Sequence, residues 1–359
     1  MLIGAGHAHL EVLRRLARHP IPGVSLTVLT REPQSPYSGM LPGLVAGQYT
    51  VAEGHVAVAP LVHAAGGTLV LDEAIGLDPV QRRVLTRTTG LMGYDTVSLD
   101  IGSRPNSGAI AGAAAHALPV KPIDRFLARL AEVTVGIAAG TVRQIAVVGG
   151  GAAGVELILA LEHRHRADGV GFTLVCGGTE ILPGYPAPFR RRLAAILDRR
   201  GVAVVRQAVS AVGPGWLETP AGRRFADAVL LTTGAAPPGW LRGTGLVTDA
   251  AGFLRVGPTL QSPSDPRVFA AGDIIAFEPE IPRSGVFAVR AGPVLAHNLA
   301  AAFTGSAMHP FRPQRHWLTI INDGDGGAVA TRNGLVASGA WVHAWKDRID
   351  RRFMAQYRL

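Results

Sequence analysis

The chain of 359 residues carries one cysteine, Cys176. A single thiol excludes an intrachain disulfide, an all-cysteine zinc site and any Cys-x-x-Cys or Cys-x-x-x-x-Cys redox pair, and it points to a reducing, cytoplasmic compartment. Lysine is almost missing: Lys121 and Lys346 stand among 35 basic residues, and the rest are arginine. The formal net charge of +9 could suit nucleic acid or an anionic surface. The arginines are scattered, however, except at Arg190, Arg191 and Arg192 and near the C-terminus, so no nucleic-acid partner is expected. No apolar run approaches the ~18 residues that a membrane-spanning helix needs, and no leader segment is expected before the first motif. The 12 histidines are dispersed without a His-acid cluster, so no metal site is expected.

What is present supports a large core. Hydrophobic residues make up 48% and charged residues 17%, enough for two or three domains and too apolar for wholesale disorder. The 45 Gly and 25 Pro follow no period and read as tight loops.

Two similar units lie about 145 residues apart. In the first, a short apolar stub runs into Gly4-Ala5-Gly6-His7-Ala8-His9, then into apolar residues at helical spacing, then into a strand at 24–29. This first strand reads as cut short. In the second, a buried strand at 144–148 precedes Gly149-Gly150-Gly151-Ala152-Ala153-Gly154, a helix at 155–163 and a strand at 172–175. Further strands are expected at 97–103, 228–234 and 268–273, and a crossing segment at 120–132. The tail differs. A strand at 317–321 precedes two strands flanking Asn333-Gly334, a hairpin signal. A basic helix then places Trp341, Trp345, Ile349 and Phe353 four residues apart.

A strand–glycine loop–helix unit binds dinucleotides for a physical reason. The first glycine allows the tight turn, the second lets backbone approach a pyrophosphate at the positive helix end, and the third permits close helix–strand packing. Gly149, Gly151 and Gly154 satisfy all three demands. Gly4 and Gly6 satisfy two, and His9 stands third. An acid at the end of each second strand holds a ribose. Only Glu32 could serve at the first site, slightly late. Cys176-Gly177 occupies the second, so neither NAD nor NADP is selected. Gly272-Asp273 ends a late strand, where the acid could reach a flavin ribityl chain or pyrophosphate.

The order of these motifs with Ile101-Gly102-Ser103, Thr233-Gly234 and Ala271-Gly272-Asp273 resembles the pyridine nucleotide-disulfide oxidoreductase superfamily over nearly the whole chain. The segment 6–10, Gly-His-Ala-His-Leu, and Ser35-Pro36-Tyr37-Ser38-Gly39-Met40-Leu41-Pro42-Gly43 are similar to the type II NADH dehydrogenase-like branch. They look most like the flavoprotein module found fused to, or near, selenide, water dikinase. The resemblance implies FAD on the first unit and NAD(P)H on the second. By that similarity Gly4, Gly6, His7, Ala8, Glu32, Gly102, Gly272 and Asp273 would hold FAD. Gly39, Met40, Leu41, Pro42 and the stretch from Ala288 to Arg290 would lie by the isoalloxazine. Gly149, Gly151, Ala152, Gly154 and Gly234 would hold the nicotinamide nucleotide. Glu156 matches the family's acid near the nicotinamide, and Lys121 stands where a polar residue can approach the flavin. Arg290 replaces a glutamine of quinone-reducing relatives and is expected near the flavin, as a cation that stabilises its reduced form or binds an anionic acceptor.

The expected fold is α/β, with two Rossmann-like dinucleotide-binding domains, the second inserted in the first, and a small C-terminal α+β cap. Residues 1–118 and 246–305 form the FAD domain, 119–245 the NAD(P) domain and 306–359 the cap. Without a cysteine pair, electrons must leave the flavin directly. The expected activity is an NAD(P)H dehydrogenase that passes electrons to a small acceptor such as a quinone. The alternative is an accessory or redox-sensing FAD module serving a selenophosphate-making partner. Residues 341–359 suit peripheral contact with the cytoplasmic face of a membrane, and equally packing on the body or on a homodimer mate.

Overall fold

Short apolar runs become strands covered on both faces. The computed structural model describes residues 1–358. In the first half the elements that frame the site include β1 (Leu2–Ile3), α1 (His7–Arg18), β2 (Thr27–Thr30), β3 (Thr68–Leu71), β4 (Val97–Leu99), β5 (Leu118–Pro119), α2 (Ile123–Ala138), β6 (Gln144–Val148), α3 (Ala152–His165) and β7 (Gly171–Val175). In the second half they are α4 (Ala187–Arg199), β8 (Ala203–Val205), β9 (Ala228–Leu231), β10 (Val268–Ala270), α5 (Gly285–Thr304), β11 (Thr319–Asn322), β12 (Ala328–Arg332), β13 (Leu335–Gly339) and α6 (Ala340–Ala355).

One parallel sheet runs β10-β4-β1-β2-β3 and a second runs β5-β9-β6-β7-β8. The chain completes the second sheet before β10 returns to the first, so the second unit is inserted in the first. Each glycine loop leaves the carboxyl end of a strand near the middle of its sheet, where doubly wound folds place ligands. The second strand starts at Thr27, later than the sequence pattern predicts, and α3 starts at Ala152, directly after Gly151.

Parallel strands need helices on their faces. α1 and α5 cross closely, with Gly292 against Ala8: a Cβ on Gly292 would lie 3.3 Å from the Ala8 Cα. By length and composition alone α5 could cross a membrane, but half of it is buried, and Phe287, Ala291 and Leu295 face the core. The third sheet, β11-β12-β13, is antiparallel. Asn333 and Gly334 both take positive φ, 53° and 80°, as a type I′ hairpin turn requires.

Two cores meet at the segment 40–46. Met40 and Leu44 belong to the first, with Phe353 and Met354 of α6. Leu41, Val45 and Ala46 belong to the second, with Ile321 and Val329 of the third sheet.

Candidate functional site

A cavity of about 660 Å³ opens between the two parallel sheets. Gly4, Gly6, His7, Glu32, Gly102, Gly272 and Asp273 line it from the first unit, and Gly151, Ala152 and Glu156 from the second. Lys121 and Ala288 also reach it. Both glycine loops therefore face one space.

His9 explains how the first loop works without its third glycine. The ring is fully buried, with Nδ1 2.6 Å from the Gly4 carbonyl and Nε2 2.8 Å from Ser98 Oγ. A carbonyl can only accept, so Nδ1 carries the proton and the Ser98 hydroxyl donates to Nε2. Burial lowers the pKa of His9 to about 4, so the ring is neutral. It braces the turn that a glycine would otherwise let close. Ala8 is buried beneath the loop and serves through its backbone.

Asp100 was missed at the sequence level, where it fell within the strand expected at 97–103. Its carboxylate Oδ2 accepts from the backbone N–H groups of Ala8 at 2.8 Å and His9 at 3.0 Å. Two amides at the start of α1 are thus already taken by a side chain. The available signal was a charged residue set between Leu99 and Ile101 in an otherwise apolar strand.

In the same cavity Lys121 Nζ donates to Asp273 Oδ2 at 2.5 Å, and the Ser103 hydroxyl donates to the same oxygen at 3.4 Å. His7 is wedged between aromatic rings, edge-on to Tyr37 at 5.4 Å and 5.7 Å from Phe353. Burial lowers its pKa to about 4, and its Nε2 has no protein partner.

Three expectations about the flavin wall need correction. Met40, Leu41 and Pro42 do not line the cavity; they are buried, and Met40 and Leu41 pack into the two cores. Pro36 and Ser38 line it instead. Gly39 contributes its carbonyl inward, to Lys346, and does not line the cavity. Arg290 is exposed and lies outside the cavity wall. Two residues along a helix turn through roughly 200°, so when Ala288 faces inward residue 290 faces out. Arg283 lines the wall together with Arg31, Arg104 and Lys121, and its guanidinium lies 3.6 Å from the Phe253 ring centre.

On the nucleotide side Gly149 and Gly154 lie behind Gly151 and Ala152 and do not line the cavity themselves. A Cβ on Gly154 would run into the Gly149 carbonyl, so this glycine serves helix–strand packing. Gly234 is exposed, outside the cavity wall, and its carbonyl accepts from the Asn106 N–H. Cys176 is 2% exposed at the end of β7, behind the wall, and burial pushes its thiol above the ordinary range.

Glu156 accepts from the Asn322 N–H at 2.9 Å, and burial pushes its pKa up to about 7 against the nearby Lys346 ammonium. Lys346 donates to the Gly39 carbonyl at 2.6 Å and to Asp350 at 2.7 Å. Burial works against this ammonium, but Glu156 and Asp350 outweigh it and hold its pKa above the usual lysine range. The spacing of α6 had suggested one apolar stripe. The helix instead turns Val342, Lys346 and Asp350 inward with Phe353, and leaves Trp341, Trp345 and Ile349 61%, 41% and 39% exposed.

The residues fit a flavin dinucleotide. Glycines cradle a phosphate-sized approach at a helix start, the buried His7 Nε2 lacks a partner on the cavity wall, and the Lys121–Asp273 pair offers polar groups along its length. Among the described residues no group of His, Cys, Asp and Glu is arranged to hold a metal.

Comparison with known proteins agrees. The family model described as pyridine nucleotide-disulphide oxidoreductase matches residues 1–298. The NADH dehydrogenase-like protein YutJ of Bacillus subtilis is 26% identical over 320 residues, 88% of this chain and 86% of that protein. The structure of NDH2 from Plasmodium falciparum in complex with NADH superposes with a TM-score of 0.84 at 13% identity, covering 99% of this chain and 96% of that one. The sulfide:quinone oxidoreductase of Aquifex aeolicus gives 0.82 at 17% identity, covering 99% and 90%.

Proposed function

The chain belongs to the pyridine nucleotide-disulphide oxidoreductase family, with FAD and NAD(P)H as its cofactors, and from that premise we propose that it oxidises NAD(P)H and reduces a quinone or similar small acceptor without a redox disulfide. The observation that carries this reading is the meeting of both glycine loops on one cavity whose wall contains no cysteine. When bound, FAD would supply the hydride-accepting and electron-donating chemistry.

The chain's own residues orient and move protons. The loop 4–6 and Gly102 would hold the FAD phosphates. The Lys121–Asp273 pair would offer FAD polar contacts. Gly151 and Ala152 would hold the nicotinamide nucleotide. Glu156, with a pKa of about 7, holds or releases a proton at neutral pH beside the nicotinamide. Residues 1–118 and 246–305 would carry FAD, 119–245 NAD(P)H, and the cap 306–359 would close the acceptor side. The exposed Trp341, Trp345 and Ile349, beside Arg348 and Arg352, suit peripheral binding to an anionic membrane face, where a quinone is supplied.

Anaerobic titration with NADH and then NADPH, following the visible flavin band, tests the proposal. Bleaching supports the dehydrogenase half-reaction and reoxidation by a quinone supports the acceptor. A bound flavin that neither nucleotide bleaches would favour the second reading, an accessory FAD module for a selenium-handling partner. The observation behind that reading is Cys176, which leaves the second ribose site without an acid.

A further inference from the structure

The carboxyl group of Asp100 is built into the cradle that FAD phosphates approach. It is 3% exposed, lines the cavity, and lies against both Gly6 and Gly272: a Cβ on either would run into it. Gly272 also takes a φ of +75°, which side chains other than glycine rarely adopt. Both glycines line the same cavity.

The two oxygens of Asp100 differ. Oδ2 accepts from the Ala8 and His9 N–H groups. Among the described residues no protein donor reaches Oδ1, and no arginine or lysine pairs with the group. The titratable and charged groups around it are His7 and His9 on α1, both neutral, and Asp273 after β10. Each cation that lines the cavity has its own carboxylate: Lys121 pairs with Asp273, Arg31 with Asp124, Arg104 with Glu73 and Arg283 with Asp249.

A carboxylate here would face the two negative charges of a pyrophosphate with no cation between them. Like charges in a buried site resolve this by protonation of the weaker acid. We propose that Asp100 is an FAD-binding residue that acts as a neutral acid: Oδ2 caps α1, Oδ1–H donates to a pyrophosphate oxygen, and one proton is taken from solvent with each FAD bound above neutral pH. The site is prepared for this before FAD arrives. Burial has already raised the Asp100 pKa to about 7, and Asp273 pushes it in the same direction. Bound phosphates raise it further. Below that pH the acid is already neutral and affinity is flat; above it, binding must draw a proton and affinity falls by up to about tenfold per pH unit.

The inference rests on FAD as the cofactor, and the test separates the two. FAD release on dilution of the holoprotein is followed by flavin fluorescence from pH 6 to 9. The expected result is a dissociation constant level below pH 7 and rising above it. Asp100→Asn presents the neutral acid's donor and acceptor without a titrating proton. It should retain FAD with a flat profile and bind more tightly than the unsubstituted chain at pH 9. An equal pH slope in both proteins, or loss of FAD from a folded Asp100→Asn variant, would overturn the inference. Should that variant fail to fold, proton uptake by the unsubstituted chain decides, read with a pH indicator at pH 8: a substantial fraction of one proton per FAD supports it, none overturns it. A flat profile in a chain that binds FAD removes this inference alone, whereas no FAD binding at any pH removes the cofactor assignment with it.

Discussion

Lys346 Nζ lies 2.6 Å from the Gly39 carbonyl, more than three hundred residues earlier in the chain. The last helix is thereby bonded to the turn that precedes the short helix Leu41–Val45, and its second bond, to Asp350, is buried with it. Removing one member of a buried ion pair leaves the other charge uncompensated, at a cost of about 3–5 kcal/mol. Lys346→Ala should lower the unfolding free energy of the holoprotein by that order in denaturant titrations. The double variant Lys346→Met with Asp350→Leu should recover most of it. A double variant as unstable as the single one would contradict this account.

Glu156 gives a pH signature. Its folded pKa is raised to about 7 from 4.5, so between these values the folded chain holds more protons than the unfolded one. The contribution to stability is therefore full below pH 4.5 and is lost as pH rises through 7, by about 3 kcal/mol at most. Glu156→Gln keeps the neutral form's shape and removes the titration. Its stability relative to the original should improve steadily from pH 4.5 to 7 and then level off. Parallel pH–stability curves would show that the carboxyl is not buried as described.

Cys176 tests the disulfide-free route. It is buried behind the cavity wall and bonded only to backbone carbonyls through sulfur. Cys176→Ala should leave the rate of flavin bleaching by NADH or NADPH within about twofold and cost about 1 kcal/mol of stability for the small void. Because no acid stands at this position, the two nucleotides should differ by less than about tenfold in kcat/KM. Rapid-mixing absorbance measurements give both numbers. A tenfold loss on Cys176→Ala would require a thiol step.

The outward aromatic face of α6 predicts a lipid interaction. Trp341→Glu with Trp345→Glu should abolish co-sedimentation with anionic vesicles, because it removes the apolar contact and opposes the surface charge. Exposed substitutions of this kind change stability by about 0.5 kcal/mol or less, so unfolding curves should nearly coincide. Equal vesicle binding before and after the change would remove the membrane from the proposal.

The sequence made the frame legible because its signals are local. Gly154 answers to the Gly149 carbonyl five residues earlier, and Asn333-Gly334 to one turn. What escaped depends on distant partners. Asp100 drew no notice within the strand expected at 97–103, because the starts of α1 and of the turn at Gly272 that meet it are distant in sequence. Arg290 was placed by analogy, and the helical phase set by Ala288 turned it outward. The burial of Lys346 and Asp350 on α6 escaped the sequence, because nothing nearby reveals that Gly39 and Glu156 make burial of an ammonium tolerable. His9 read as a defect in a glycine motif and proved to be a brace, since Ser98 and the Gly4 carbonyl supply both its bonds.

The insertion of one sheet within the other also sets an order of assembly. β4 ends at residue 99 and its neighbour β10 begins at residue 268. A chain emerging from the ribosome can therefore complete the second sheet while the first still lacks an edge. Contacts of such long sequence separation form late, since loop closure must precede their reward. Pulse-labelled hydrogen exchange should protect β6 and β9 ahead of β10, so that the inserted sheet matures as the scaffold on which the first sheet closes.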